Sequence, residues 1–295
     1  MKATKKEGKL SASVKVTRAA WRVMMLDKEV IGIAAISMTV NMIVFAAYVW
    51  VGIFLVPSVF FVDSSQPWSF DWKYYIVLAL YFMTTYFVTN FFSGAISHAA
   101  FRRFEGENPT AKEALTAARR KGWVIFKYSG LQVTVGLILN ILAERVPFAG
   151  KIAVWLVGAA WSVASMFSIP LIMSSNETNP LKVVKKSAKT FIDIWAESVF
   201  IGITLGILSI IATIGTMIVV FGLFAAAVAF ESISLAVIAA LVFFAAAIGI
   251  ALLSYTLQQI VMTAAYYYAA TGKLPTGFDE ELVRSMFRPK KKWLS

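Results

Sequence analysis

The sequence predicts an all-α fold, a polytopic membrane helical bundle with six transmembrane helices, and three observations carry that prediction. The 295 residues are 59% hydrophobic and only 15% charged, where a soluble domain carries about a quarter charged residues. The apolar residues gather into nearly charge-free runs of about 20 or more, the length that crosses ~30 Å of hydrocarbon. The cations are sorted into alternate connections between those runs. The ~10-residue alternating segments of a membrane barrel are absent.

Six spans follow, at roughly 30–56, 74–101, 123–143, 150–173, 196–226 and 233–270. Of the 28 Lys and Arg residues, 25 fall before the first span, between Arg102 and Lys127, in the connection after span four, or after the last span. Lys73, Arg145 and Lys151 are the three on the other side. The positive-inside rule places the richer side in the cytoplasm, and an even number of spans puts both termini there. The opposite connections are modest. The first holds Trp68, Phe70 and Trp72, suited to a lipid–water interface, and the second is a tight turn around Pro147 and Gly150.

The cytoplasmic side carries basic amphipathic helices. Lys15, Arg18 and Arg22 oppose Val14, Trp21 and Met25 ahead of span one, and Arg119, Arg120 and Lys121 lead into span three. Lys182, Lys185, Lys186 and Lys189 share one helical face ahead of span five, with Val184, Ala188, Phe191 and Trp195 towards the other. Such helices can rest in the headgroup layer, apolar side down and basic side chains near anionic lipid. Asn108 and Asn179 are expected N-caps, with Pro109 and Pro180 at the first helical position, where a missing N–H costs nothing. Pro170 is expected to kink span four.

The chain reads as one integral membrane domain over 1–295, divisible into units 8–107, 108–178 and 179–275, with a basic cytoplasmic tail at 276–295. Each unit is a basic helix, an outgoing span and a returning span, which makes the units parallel repeats. Triplication is one explanation. The other is that any pair of spans needs a basic connection and that Asn-Pro is a common helix start. Mitochondrial carriers share the count of two-span units, but their Pro-acid-base signature is missing after Pro57, Pro147 and Pro170.

Two stretches, Asn108-Pro-Thr-Ala-Lys-Glu-Ala-Leu115 and Asn179-Pro-Leu-Lys-Val-Val-Lys-Lys-Ser187, carry a better resemblance. The chain resembles a diffuse set of uncharacterised prokaryotic multi-pass membrane proteins. It is similar in the same way to the membrane region of some glycerophosphodiester phosphodiesterases. That enzyme's acidic and histidine-bearing catalytic domain has no counterpart in these residues, so the resemblance implies a membrane module and brings no activity. It implies a prokaryotic plasma (inner) membrane as the location.

Residues for chemistry are few. The sequence has no cysteine and a single histidine, which excludes disulfides, thiolate chemistry and histidine metal clusters within it. No P-loop, nucleotide fingerprint or hydrolase elbow appears, and no cofactor is expected. His98 offers a pH-sensing group, against the plainer reading of an interfacial residue. No ionisable residue sits at mid-depth of a span, which argues against a proton-driven transporter. Asn90, Gln132, Gln258 and Gln259 form either a polar pathway or simple interhelical hydrogen bonds.

The sequence therefore points to a non-enzymatic scaffold or accessory protein whose basic helices engage anionic lipid, a membrane-protein partner or another copy at the cytoplasmic face. The lipid-contact candidates are the ten Lys and Arg residues named for the three basic helices. The alternative is a channel or facilitator for a small solute or anion. Nucleic acid is not an expected partner, because orientation alone accounts for the cations.

Overall fold

The structure, a computed structural model, describes residues 18, 20–22, 24, 25, 28–55, 72–276 and 278, and the side chains of these apart from 28, 72 and 193–208. Every regular element among them is a helix: α1 (Lys28–Leu55), α2 (Trp72–Phe104), α3 (Ala111–Arg120), α4 (Gly122–Arg145), α5 (Phe148–Ser165), α6 (Ser168–Ser174), α7 (Pro180–Ala229) and α8 (Ile233–Thr271). Among the described residues six helices are long and apolar enough to cross a membrane, in α1, α2, α4, α5 continued by α6, the Ser209–Ala229 part of α7, and α8. Their surfaces remain apolar where they face outward, as at Met42, Phe45, Trp50, Trp155, Ile218, Phe221, Leu241 and Phe244. That exposure suits hydrocarbon rather than water. The chain is a multi-pass membrane protein.

The chain divides into two compact units, one of Gly32–Ala99 with Pro109–Phe191, the other of Met1–Ile31, Ala100–Asn108 and Ile192–Ser295. In the first unit α1 and α2 run antiparallel, because Asn41 Nδ2 donates to Thr89 Oγ1 at 3.4 Å while Tyr48 and Thr84 share a 3.0 Å hydroxyl bond. Tyr81 packs edge-on against both Phe45 and Tyr48. The buried stretch of α2, Phe92 to Ser97, is rich in small residues. At Gly94 even a Cβ would come within 3.2 Å of Met173 Sδ, so glycine permits the close approach there.

α3 starts differently from the sequence expectation. Thr110, not Asn108, is the N-cap: its side chain accepts from Glu113 N, and the Glu113 carboxylate accepts in turn from Thr110 N, a complete capping box. α4 and α5 form an antiparallel hairpin across Val146-Pro147. Gly150 is required there, since a Cβ would lie 2.6 Å from Val146 Cβ. The expected kink at Pro170 is a break. α5 ends at Ser165 and α6 begins at Ser168, because Pro170 has no N–H for the carbonyl of Met166, four residues back.

In the second unit α7 and α8 pack along small residues, with Ser209 and Ser254 hydroxyls 2.5 Å apart and Ala227 and Ala239 buried. Glu231 takes a left-handed conformation, φ 47°, to turn the chain between them. Ser232 then caps α8 by accepting from Leu235 N. α8 ends at Gly272, φ 66°, whose N–H meets Tyr268 O at 2.8 Å. The following segment returns to the end of α2, where Thr276 Oγ1 donates to Phe104 O at 2.7 Å and Tyr267 packs on the Phe104 ring. One further element differs from expectation. The basic stretch at Asn179 is not a short separate helix but the first turns of the 50-residue α7.

Candidate functional site

The candidate site in the first unit lies where α3 ends, α4 begins, and the segment 175–179 leads into α7. Asn179 opens α7, its Oδ1 accepting from Leu181 N at 3.0 Å and Lys182 N at 3.4 Å, with Pro180 at the first helical position as expected. Val183, Ser187 and Phe191 then recur at helical spacing and are almost wholly buried, at 0%, 0% and 6% exposure. The Ser187 hydroxyl accepts a bond from Phe167 N at 3.0 Å. That N–H lies at the α5–α6 break, where helical pairing is interrupted. The Phe167 and Phe191 rings pack beside this bond.

Part of the apolar side of this basic helix is therefore used inside the chain, while Leu181 and Ile192 stay exposed. α3 follows the same rule, with Ala114 and Ala118 buried. Ahead of α1 the expectation fails: Ala20 and Met24 are the buried residues, whereas Trp21 and Met25 are exposed together with Arg18 and Arg22. Lys15 lies outside the described residues.

The cations divide into two groups. Lys121 Nζ donates to Ser175 O at 2.6 Å and to Asn176 Oδ1 at 3.2 Å. Lys127 Nζ donates to Thr178 O at 2.7 Å. Lys186 Nζ pairs with Glu177 Oε2 at 2.8 Å. Three ammonium groups thus hold four consecutive residues of the 175–178 segment. The Lys186 hydrogen bond, helped by the Asn179 N–H, holds the Glu177 carboxyl below its ordinary pKa. Arg119, Arg120, Lys182, Lys185 and Lys189 form the second group. They are exposed, and they make no ion pair among the described residues.

The amides are also divided. Asn90 is buried, and its Nδ2 donates to Gln132 Oε1 at 2.6 Å and to Ser129 Oγ at 2.9 Å, tying α2 to α4. Ser129 passes the chain of bonds on to Ile125 O. Gln258 is exposed and Gln259 half-buried on α8, in the other unit. The structure brings Asn90 and Gln132 together and adds Ser129, which no sequence pattern singles out.

Lys127, Ser175, Asn176, Glu177 and Thr178 escape the sequence pattern as well. The Lys121 and Lys127 bonds join positions 51 to 55 residues apart, largely through backbone carbonyls, and the Glu177–Lys186 pair spans nine, so they leave no common side-chain pattern to read.

Residues 72–278 match a family of unknown function (DUF6159), and because the match covers more than half of the chain, the chain belongs to that family. No curated protein and no solved structure matches it.

Proposed function

We propose, taking membership of that family as the premise, that this chain is a non-enzymatic multi-pass protein of a prokaryotic plasma membrane with both termini in the cytoplasm. On this reading it acts as a scaffold or accessory protein, and its cytoplasmic cationic face engages anionic lipid headgroups. The observation that carries the reading is the division of the cations. Lys121, Lys127 and Lys186 serve the fold, whereas Arg119, Arg120, Lys182, Lys185 and Lys189 stand exposed on α3 and α7.

Because Val183, Val184 and Phe191 of α7 and Ala114 and Ala118 of α3 pack within the chain, the attraction rests chiefly on charge. Each Lys or Arg near an anionic surface contributes about 1 kcal/mol, within a Debye length of about 8–10 Å. The resemblance to the membrane region of some glycerophosphodiester phosphodiesterases supports a membrane module, with no chemistry attached. The alternative, a channel or facilitator, asks the amides to line a path. The mutual bonds of Asn90, Ser129 and Gln132 support a packing role for those three instead.

The test uses the full chain in vesicles containing spin-labelled neutral or anionic phospholipid. The wild type should select anionic lipid, and selectivity should fall as salt rises. Lys182→Gln/Lys185→Gln/Lys189→Gln should lower it by about fivefold for each cation that meets a headgroup. Equal association with neutral and anionic lipid, at low salt, would remove the lipid reading.

A further inference from the structure

A second feature of the first unit lies at the other end of α4, away from the cationic face. The α4–α5 hairpin, with Tyr86 of α2, frames a cleft of about 620 Å³, within the ~300–1,000 Å³ of small-ligand sites. Gly136 and Gly158 open it. A Cβ at Gly136 would meet nothing within 4 Å, and one at Gly158 would meet only Leu139 Cδ1, at 3.7 Å. Both flanking helices are long and apolar enough to cross a membrane, and a cleft on such helices can open to lipid.

The dimensions and the polar groups specify which part of a lipid. Along α4 the lining runs from Ala143 to Gln132, which at 1.5 Å per residue is ~16 Å, about the depth of one leaflet of a ~30 Å core. Lys151 stands at the shallow end, one turn into α5, exposed and with no ion pair among the described residues. Asn140 lies about 7 Å further in than the end of α4, and its side chain makes no hydrogen bond among the described residues. Asn140 is exposed, and where such an amide meets hydrocarbon its unpaired state is costly, so its N–H groups favour an acceptor arriving with the ligand. Deeper, the wall is Gly136, Leu139, Gly158 and Ala159, with Trp155 alongside, and it ends at Gln132, Tyr86, Trp161 and Ser162.

Cation, amide donor and small apolar wall follow one another at increasing depth. A diacyl glycerophospholipid presents phosphate, ester carbonyls and acyl chain in that order. We propose that the α4–α5 cleft is a site for one glycerophospholipid, with its phosphate at Lys151, an ester carbonyl at Asn140 and an acyl chain along Gly136 and Gly158. The site is separate from the cationic face of α3 and α7, shares no residue with it, and stands or falls independently.

The test is native mass spectrometry of the full chain released from phospholipid nanodiscs into mild detergent. The wild type should retain one phospholipid through detergent exchange. Lys151→Gln should lower retention by about fivefold, and Gly136→Leu, which fills the cleft, should reduce it to background. Gly136→Leu suits the helix better than glycine, and its thermal melt confirms folding. Should it not fold, Ala159→Phe fills the same wall. Unchanged retention in the filled variant, or a wild type that sheds all phospholipid on exchange, overturns the proposal. Retention that survives filling but falls in Lys182→Gln/Lys185→Gln/Lys189→Gln also overturns it, because the bound lipid then sits on the cationic face.

Discussion

Lys186 and Lys185 are neighbours of equal charge on one helix, but only Lys186 is bound to Glu177. That bond lowers the Glu177 pKa, so its stabilising effect is present above the ordinary carboxylate value and is lost as pH falls through the depressed folded value. Protection of the amides of residues 175–179, taken relative to the intrinsic exchange rate at each pH, should therefore fall on acidification in the wild type. In Glu177→Gln protection should be low throughout and lack that acid dependence; an acid-dependent loss that survives in this variant would assign it to another group.

Ser187 is the other residue with a single role. Ser187→Ala takes away the acceptor that meets Phe167 N–H in a buried setting, and should destabilise the chain by about 1–3 kcal/mol. Denaturant unfolding in detergent measures this, and a loss within ~0.3 kcal/mol would show that the break is satisfied some other way. Neither role is legible in the sequence. A serine facing inward on a basic helix reads only as a small residue, and its partner at position 167 is known only once α5 and α6 are seen to be separate.

At the level of elements, span positions were legible because hydropathy and length are local properties. The expected span at 123–143 became α4, Gly122–Arg145, and that at 233–270 became Ile233–Thr271. Helix starts were half legible. At Asn179-Pro180 the Asn side chain is the capping group, and Asn caps. At Asn108-Pro109-Thr110 two signals compete, and the Thr-x-x-Glu box wins because it satisfies both Thr110 N and Glu113 N. Thr110→Ala should then cost α3 about 1 kcal/mol, read as faster exchange of the amides of residues 112–114. Asn108→Ala should leave those amides unchanged; slowing or no change in Thr110→Ala would contradict the assignment.

The lysine clasp on 175–178 belongs to neither local signal. Lys121 and Lys127 are cations where orientation already demands cations, so their backbone partners could be found only in three dimensions.

For the whole molecule, the proposed function depends on six spans whose cationic connections share the cytoplasmic side. Since the sequence contains no cysteine, single substitutions report topology without a background thiol. The decisive experiment is labelling of intact cells with a membrane-impermeant thiol reagent, using Arg120→Cys, Lys185→Cys and Glu231→Cys in separate chains. Six spans in this orientation require that Glu231→Cys is labelled from outside, whereas Arg120→Cys and Lys185→Cys react only after the membrane is opened. Labelling of Arg120→Cys or Lys185→Cys in intact cells, or protection of Glu231→Cys, would contradict that topology.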